Sequence, residues 1–169
     1  MRSQEFKLLS LNVSINKVSD RVFIVPNPLS DKTYFGQIYE DDLSEGASST
    51  AFESKVQFRE RAEPNRFLTL GFSLDYLFEK FLLKDFPTLL KIDVDGIEGK
   101  ILLGSRSILA NRALKSIYVE VEYSNHINKK TIHLLLQENG FNLKSINQAS
   151  MFKETRYNNL YNEIWVRVE

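Results

Sequence analysis

The sequence predicts an α/β domain. Short apolar runs rich in β-branched residues alternate along the chain with segments whose apolar residues have helical spacing. The last two predicted strands are joined by a loop without a helix, which predicts an antiparallel hairpin at one edge of the sheet. The chain of 169 residues is long enough to bury the core of one compact domain, so we expect a single domain over residues 1–169.

The composition excludes several classes of protein. Lys+Arg and Asp+Glu both number 22, and this zero balance argues against a nucleic-acid binder that works by bulk electrostatics. The absence of Cys excludes a disulfide scaffold, a cysteine zinc site and a cysteine nucleophile. No apolar run approaches ~18 residues, and the N-terminus lacks the apolar segment of a signal peptide. We therefore expect a cytoplasmic protein with neither a membrane nor a nucleic acid as partner.

The N-terminal part predicts a helix followed by two strands. In residues 3–16 the apolar side chains recur at helical spacing and form a wide stripe. Val22–Pro26 is a short, apolar, β-branched run and predicts a buried strand. Residues 33–40 alternate between apolar and polar and predict a second, more exposed strand.

Residues 41–66 are predicted to form a long loop. They carry many charges and a run of small residues from Gly46 to Thr50. A loop of this length inside a compact domain is either a solvated surface segment or a lid over a binding site. The sequence leaves both interpretations open.

The C-terminal part alternates strands and helices more clearly. Ser73 is placed to cap the first of these helices, and Gly140 is placed to end the last. Predicted strands lie at residues 66–71, 89–94, 116–122, 141–146 and 162–168, and predicted helices at 74–82, 98–103 and 131–139.

One segment, Lys91–Glu98, holds the candidate chemistry. Asp93 lies inside an otherwise apolar predicted strand, Asp95 at its carboxyl end, and Glu98 in the first turn of the next helix. Ligands of open α/β sheets bind at the carboxyl ends of strands, and free N–H groups at a helix start can hold a carboxylate ionised. The acids are predicted to act as a general base or an orienting group, or to hold a hard cation. The alternative is simple capping by Asp95 and a solvated Glu98.

No metal ligands are assigned. A calcium loop is excluded because Gly96 directly follows the second acid. His126 and His133 have no acid or third ligand at suitable spacing beside them, which predicts surface histidines rather than a metal site. His126 follows the strand at 116–122 and is placed to reach the same crevice as Asp95, as a base or an acceptor contact.

The same segment resembles a known family. Leu90–Glu98 is similar to the signature strand of the FkbM family of S-adenosylmethionine-dependent methyltransferases, usually written Ile-Asp-Val-Glu-Gly-x-Glu. Further segments resemble this family's later elements in the same order, from about Phe6 to Arg167: Ser19–Val22 with Val25-Pro26 and Leu29–Lys32, Gly71–Asp75, Tyr118–Glu122, Asn139–Phe141 and Asn162–Arg167.

This resemblance implies a Rossmann-like methyltransferase sheet. It implies transfer of a methyl group from S-adenosylmethionine to a hydroxyl of a small molecule or a sugar. It also implies that Asp93 and Leu29 contact the cofactor, that Asp93 and Asp95 position the methionine amine or the acceptor, and that Glu98 assists or caps. His126 joins these as a candidate catalytic contact.

Two parts of the family pattern have no counterpart in the sequence. The chain contains no Gly-x-Gly turn to cradle the cofactor, and no acid closing a second strand to hold its ribose. We therefore expect a sheet truncated at its N-terminal side and weak cofactor binding by this chain alone. Val22–Pro26 is then expected to pair with Leu89–Val94 or with another chain. A homo-oligomer or a completing chain is the expected partner, and the alternative to an enzyme is a catalytically inert α/β subunit.

Overall fold

The computed structural model describes residues 3–40, 50–53, 65–81, 86–155 and 157–168. In these ranges the helices are α1 Ser3–Ile15, α2 Leu74–Phe81, α3 Glu98–Leu103, α4 Arg106–Ala110 and α5 His126–Glu138. The strands are β1 Leu29–Ser30, β2 Tyr34–Glu40, β3 Thr50–Phe52, β4 Asn65–Ser73, β5 Leu89–Ile92, β6 Ser116–Glu122, β7 Phe141–Asn147 and β8 Leu160–Arg167.

The strands form two four-stranded sheets. The first sheet has the order β1-β4-β2-β3, with β1 parallel to β4 and the other pairs antiparallel. The second has the order β5-β6-β8-β7, with β5 parallel to β6 and β8 antiparallel to both of its neighbours. The prediction of a mixed α/β fold is confirmed, as is the C-terminal antiparallel pair at one edge of a sheet.

The main core lies on one face of the second sheet. Strand β6 has a strict two-residue period, so Ile117, Val119 and Val121 are fully buried while the residues between them are partly exposed. Helix α5 covers this face with Ile132 and Leu136, which are also fully buried. The other residues of this buried cluster are Ile92, Ile101, Leu102, Ile108, Leu109, Leu114, Phe141 and Trp165.

In the first sheet, Phe52 packs on two glycines. Its side chain is 3% exposed. A Cβ atom on Gly36 or on Gly71 would lie 2.6 Å from the Cζ atom of Phe52. Glycine in these strands therefore makes room for an aromatic ring.

Helix α3 joins the two sheets. A Cβ atom on Gly104, which ends α3, would lie 2.2 Å from the carbonyl oxygen of Ser30 in β1, so the two backbones approach as closely as glycine allows. Lys100 of α3 donates from Nζ to the hydroxyl of Tyr34 in β2 at 2.9 Å. The first sheet is thus attached to the helix that follows the candidate Lys91–Glu98 segment.

The prediction of a buried strand at Val22–Pro26 is wrong. These residues form no strand in the structure, and the side chain of Phe23 is 79% exposed. Pairing with β4 starts farther along, where Asn27 donates from Nδ2 to the carbonyl of Leu70 at 2.9 Å. Pro26 and Pro28 carry no N–H group, so neither can donate a hydrogen bond to a strand ladder beside β4.

Three helices show features that the sequence did not predict. The helix predicted at 131–139 begins at His126, because Asn125 caps it by accepting a hydrogen bond from the N–H of Asn128 at 3.1 Å. Helix α4 was not predicted; the carboxylate of Asp75 accepts from its N-terminal N–H groups. Helix α1 is confirmed, but its apolar side chains are not buried within the described residues, since Leu11 is 52% exposed.

The predicted loop at 41–66 is described only in part. Residues 41–49 and 54–64 lie outside the described residues. Thr50–Phe52 of this stretch forms β3, and β4 already begins at Asn65. The loop and lid interpretations stay predictions. None of the helices in the described ranges is long and apolar enough to cross a membrane.

We expect Arg167→Lys to destabilise the second sheet by about 2 kcal/mol. The Arg167 guanidinium donates to the carbonyls of Leu114, Asn139, Leu109 and Asn111 at 2.6–3.0 Å, and a lysine ammonium cannot reproduce that fork. Urea unfolding measures the change, with Arg106→Lys at an exposed position as the control. Equal stability of the two variants would contradict this role of Arg167.

Candidate functional site

The candidate site is built on the loop between β5 and α3. Strand β5 ends at Ile92, and α3 begins at Glu98. Gly96 has a φ of 87°, a left-handed conformation that side-chain-bearing residues rarely adopt. Its N–H group donates to the carbonyl of Val94 at 3.1 Å, so the loop turns sharply and returns Glu98 toward β5.

Asp93 is not buried inside the strand. It follows the last residue of β5, and its side chain is 46% exposed. Lys91 lies 2.8 Å from its Oδ2 atom, and this hydrogen bond raises the pKa of Lys91. Lys91 also lies over the ring of Tyr118, 5.5 Å from its centroid. The prediction that Asp93 lies inside the strand is therefore wrong, and as a half-exposed, paired acid it carries no large desolvation cost.

The sequence did not indicate Glu120 of β6. Partial burial raises the pKa of Glu120, and the charges of Asp93 and Asp95 raise it further, so Glu120 lies close enough to both aspartates for their charges to repel its own. The strand register explains why Asp93 and Glu120 are close. Lys91 of β5 pairs with Tyr118 of β6, and Asp93 and Glu120 each follow two residues later in the chain. We call Asp93, Asp95 and Glu120 the acidic edge; its negative potential favours a cationic group.

Glu98 lies behind this loop and is 2% exposed. Its Oε1 accepts a hydrogen bond from the N–H of Gly96 at 3.0 Å, and its Oε2 accepts one from Nδ2 of Asn128 at 2.6 Å. Burial raises the pKa of Glu98 to about 7, although these hydrogen bonds lower it in part. The alternative of a solvated Glu98 is wrong, and the carboxylate holds the loop rather than facing solvent.

Asn128 brings α5 against α3. Its Oδ1 accepts a hydrogen bond from the N–H of Gly99 at 3.0 Å. A Cβ atom on Gly99 would lie 2.6 Å from this oxygen, so a larger residue here would displace the Asn128 amide. We call Glu98, Asn128, Gly96 and Gly99 the loop clamp. The sequence indicated its acid and one glycine but not Asn128.

The remaining predicted site residues lie on other elements. His126 is the first residue of α5, with an exposed side chain two residues before Asn128. Leu29 lies in β1 of the first sheet and packs against the main core of the second. Asp95 is partly exposed, two residues after Asp93. Among the described residues, no group of three or more His, Cys, Asp or Glu side chains is arranged to hold a metal ion.

A second buried carboxylate lies in the middle of β8. Glu163 is 0% exposed and accepts hydrogen bonds from the Tyr123 hydroxyl at 2.7 Å and from Nε1 of Trp165 at 2.9 Å. His133 places its Nε2 atom 3.0 Å from the same carboxylate, so the prediction of a surface histidine is wrong here. Burial and the bond to Glu163 raise the pKa of Tyr123. The alternation in Asn162–Arg167 could have placed Glu163 on the buried face beside Trp165.

A comparison with protein families shows which family the chain belongs to. The family model of the methyltransferase FkbM domain matches residues 2–143 of the 169. The chain belongs to the FkbM methyltransferase domain family. The FkbM match includes the β5–α3 loop, the acidic edge and all of the loop clamp. Comparisons with curated proteins and with solved structures gave no match.

We expect Glu98→Gln to remove part of the pH dependence of stability. The pKa of Glu98 rises on folding from its ordinary 4.5 to about 7. Between these values the folded state keeps a proton that the unfolded state has lost, so stability falls as the pH rises through this window, by at most roughly 3 kcal/mol. Urea unfolding from about pH 5 to pH 8 measures the slope.

Exposed Glu138→Gln is the matched control for this measurement. At the acid end of the range Glu98→Gln should be less stable than wild type. This difference should shrink toward pH 8, because wild type loses stability as the pH rises. Curves of wild type and Glu98→Gln that stay parallel over the whole range would refute the assignment of a raised pKa to Glu98.

We expect Glu163→Gln to destabilise the fold by about 3 kcal/mol. The glutamine amide offers one acceptor oxygen where the carboxylate offers two, so its NH2 group faces the donor of either Tyr123 or Trp165 and that hydrogen bond is lost. Thermal and urea unfolding measure the loss, with Glu138→Gln expected to change stability by less than about 0.5 kcal/mol. A Glu163→Gln variant as stable as wild type would show that the carboxylate is dispensable.

Proposed function

We propose that this FkbM-family domain serves S-adenosylmethionine-dependent transfer of a methyl group to an oxygen, with a hydroxyl of a small molecule or a sugar as the acceptor. The observation that carries the proposal is the acidic edge at the carboxyl end of β5, inside the region that matches the family. We place this activity in the cytoplasm, a reducing compartment that suits a chain without cysteine.

The residues present suit one part of this cofactor. S-adenosylmethionine carries two cationic groups, an ammonium and a sulfonium, and the acidic edge supplies carboxylates for them even with Lys91 beside Asp93. The cofactor's own carboxylate and its ribose need N–H donors and an acid, and the sequence has no Gly-x-Gly turn to supply the donors. The fit is therefore to the cationic part, and we expect weak binding by this chain alone.

Each predicted residue has a defined task in this proposal. The bound cofactor supplies an electrophilic methyl group. Asp93 and Asp95 hold its cationic groups or orient the acceptor, and Leu29 provides an apolar contact. Glu98 keeps the loop in place without touching substrate, since it is buried. His126, exposed at the start of α5, takes the proton that the acceptor hydroxyl must lose.

A second candidate is an inert subunit that another chain completes. Within the described residues β5 pairs only with β6, and Leu89 is 60% exposed. An open edge strand presents unpaired N–H and C=O groups that pair readily with a further strand. This favours a partner chain or a second copy at this edge.

We expect calorimetry to detect only weak binding of S-adenosylmethionine, with a dissociation constant well above the micromolar range. S-adenosylhomocysteine lacks the sulfonium charge, so it should bind several-fold more weakly still, and Asp95→Asn should reduce this difference. Asp20→Asn, an exposed acid of α1's C-terminal flank, is the matched control and should leave the difference unchanged.

Two results would contradict these binding expectations. Micromolar binding by the isolated chain would refute the expectation that the cofactor cradle is incomplete. Equal affinity for the compounds with and without the sulfonium charge would refute the role of the acidic edge. An assay of labelled methyl transfer to a panel of sugars and small hydroxyl compounds then separates the enzyme from the inert subunit, because only the enzyme transfers label.

A further inference from the structure

We propose that Asn128 is a positioning residue, which fixes the acidic-edge loop to the start of α5 by holding Glu98 and Gly99 at the same time. Any consequence for methyl transfer rests on the proposed function, whereas the coupling itself rests on contacts between described residues. Asn128 was not among the residues that the sequence indicated, and its side chain contacts Glu98 and Gly99 rather than solvent-facing site residues.

Only a side chain with a donor and an acceptor can make both contacts. Nδ2 of Asn128 donates to Glu98 at 2.6 Å, while its Oδ1 accepts from the N–H of Gly99 at 3.0 Å. An aspartate here would accept from Gly99 but place a second carboxylate against Glu98. An apolar residue would leave the buried Glu98 oxygen without its side-chain donor.

The coupling continues on both sides of Asn128. On α5, its N–H group donates to Oδ1 of the capping residue Asn125 at 3.1 Å. On the other side, Glu98 accepts from Gly96, the residue that turns the loop. A chain of hydrogen bonds therefore runs from Asn125 through Asn128 and Glu98 to Gly96.

This chain of contacts keeps two candidate elements in register. His126 follows Asn125 directly, and Asp95 precedes Gly96 directly. Helices α3 and α5 lie in close contact here, because a Cβ atom on Gly99 would lie 2.6 Å from Oδ1 of Asn128. A change at Asn128 is therefore transmitted to the loop rather than absorbed between the helices.

An exchange of the two side-chain types tests the proposal. Asn128→Asp and Glu98→Gln each disturb the clamp while keeping its shape. In the double variant, the new amide at position 98 donates to the new carboxylate at position 128, which still accepts from Gly99, and the amide oxygen still accepts from Gly96. At a pH high enough to ionise Glu98, each single variant should speed amide hydrogen exchange at Gly96 and Gly99 at least tenfold, and the double variant should return both rates to within about threefold of wild type.

The pH profile distinguishes positioning from simple packing. In Asn128→Asp two carboxylates share one buried position, so the exchange rate at Gly96 should change at a higher pH than in wild type. Among the described residues, the charge of Glu120 in β6 also acts on Glu98, and Glu120 is unchanged in every variant. Gln137→Glu, an exposed amide-to-acid change on α5, is the matched control and should leave both the rates and the profile as in wild type.

Every outcome decides the proposal. Wild-type exchange at Gly96 in Asn128→Asp overturns it, and so does a double variant that exchanges as fast as the single variants. If Asn128→Asp alone does not fold, a folded double variant supports the coupling and an unfolded one overturns it. None of these measurements uses cofactor or acceptor, so failure of the proposed methyl transfer leaves their result intact.

Discussion

The structure of the candidate site depends on one buried carboxylate. Glu98 is almost without solvent contact, and an acid in such a place must either find donors or remain neutral. Glu98 accepts hydrogen bonds from Gly96 and Asn128, and burial raises its pKa to about 7, which favours the neutral form. The left-handed turn at Gly96 and the close approach at Gly99 are the backbone conditions that let these donors reach it.

Helix α3 connects this carboxylate to the rest of the molecule. Glu98 at its first residue holds the acidic-edge loop, and Gly104 after its last residue lies against the backbone of Ser30 in the first sheet. Lys100, between them, reaches Tyr34 of the same sheet. Both sheets therefore contact the helix that holds the acidic-edge loop, although Glu120 belongs to the second sheet and Asp93 and Asp95 to the loop after β5.

The sequence predicted elements better than partners. Strand β6 was placed correctly because its two-residue alternation is complete, and the family was recognised from several short segments in the right order. Asp93 was misplaced because an apolar run does not reveal where pairing stops. The prediction of a strand at Val22–Pro26 was wrong because a β-branched run does not show which strand it would pair with. Glu120, Asn128 and His133 needed distances between elements, which no pattern along one chain supplies.

The order of the second sheet has a consequence for synthesis on the ribosome. Strand β8 is the latest of the described strands to be translated, yet it lies between β6 and β7. Until it emerges, one hydrogen-bonding edge of β6 has no antiparallel neighbour, and His133 of α5 has no Trp165 to pack on. The nascent polypeptide therefore leaves the exit tunnel with apolar residues still exposed to solvent. Such a state favours chaperone binding.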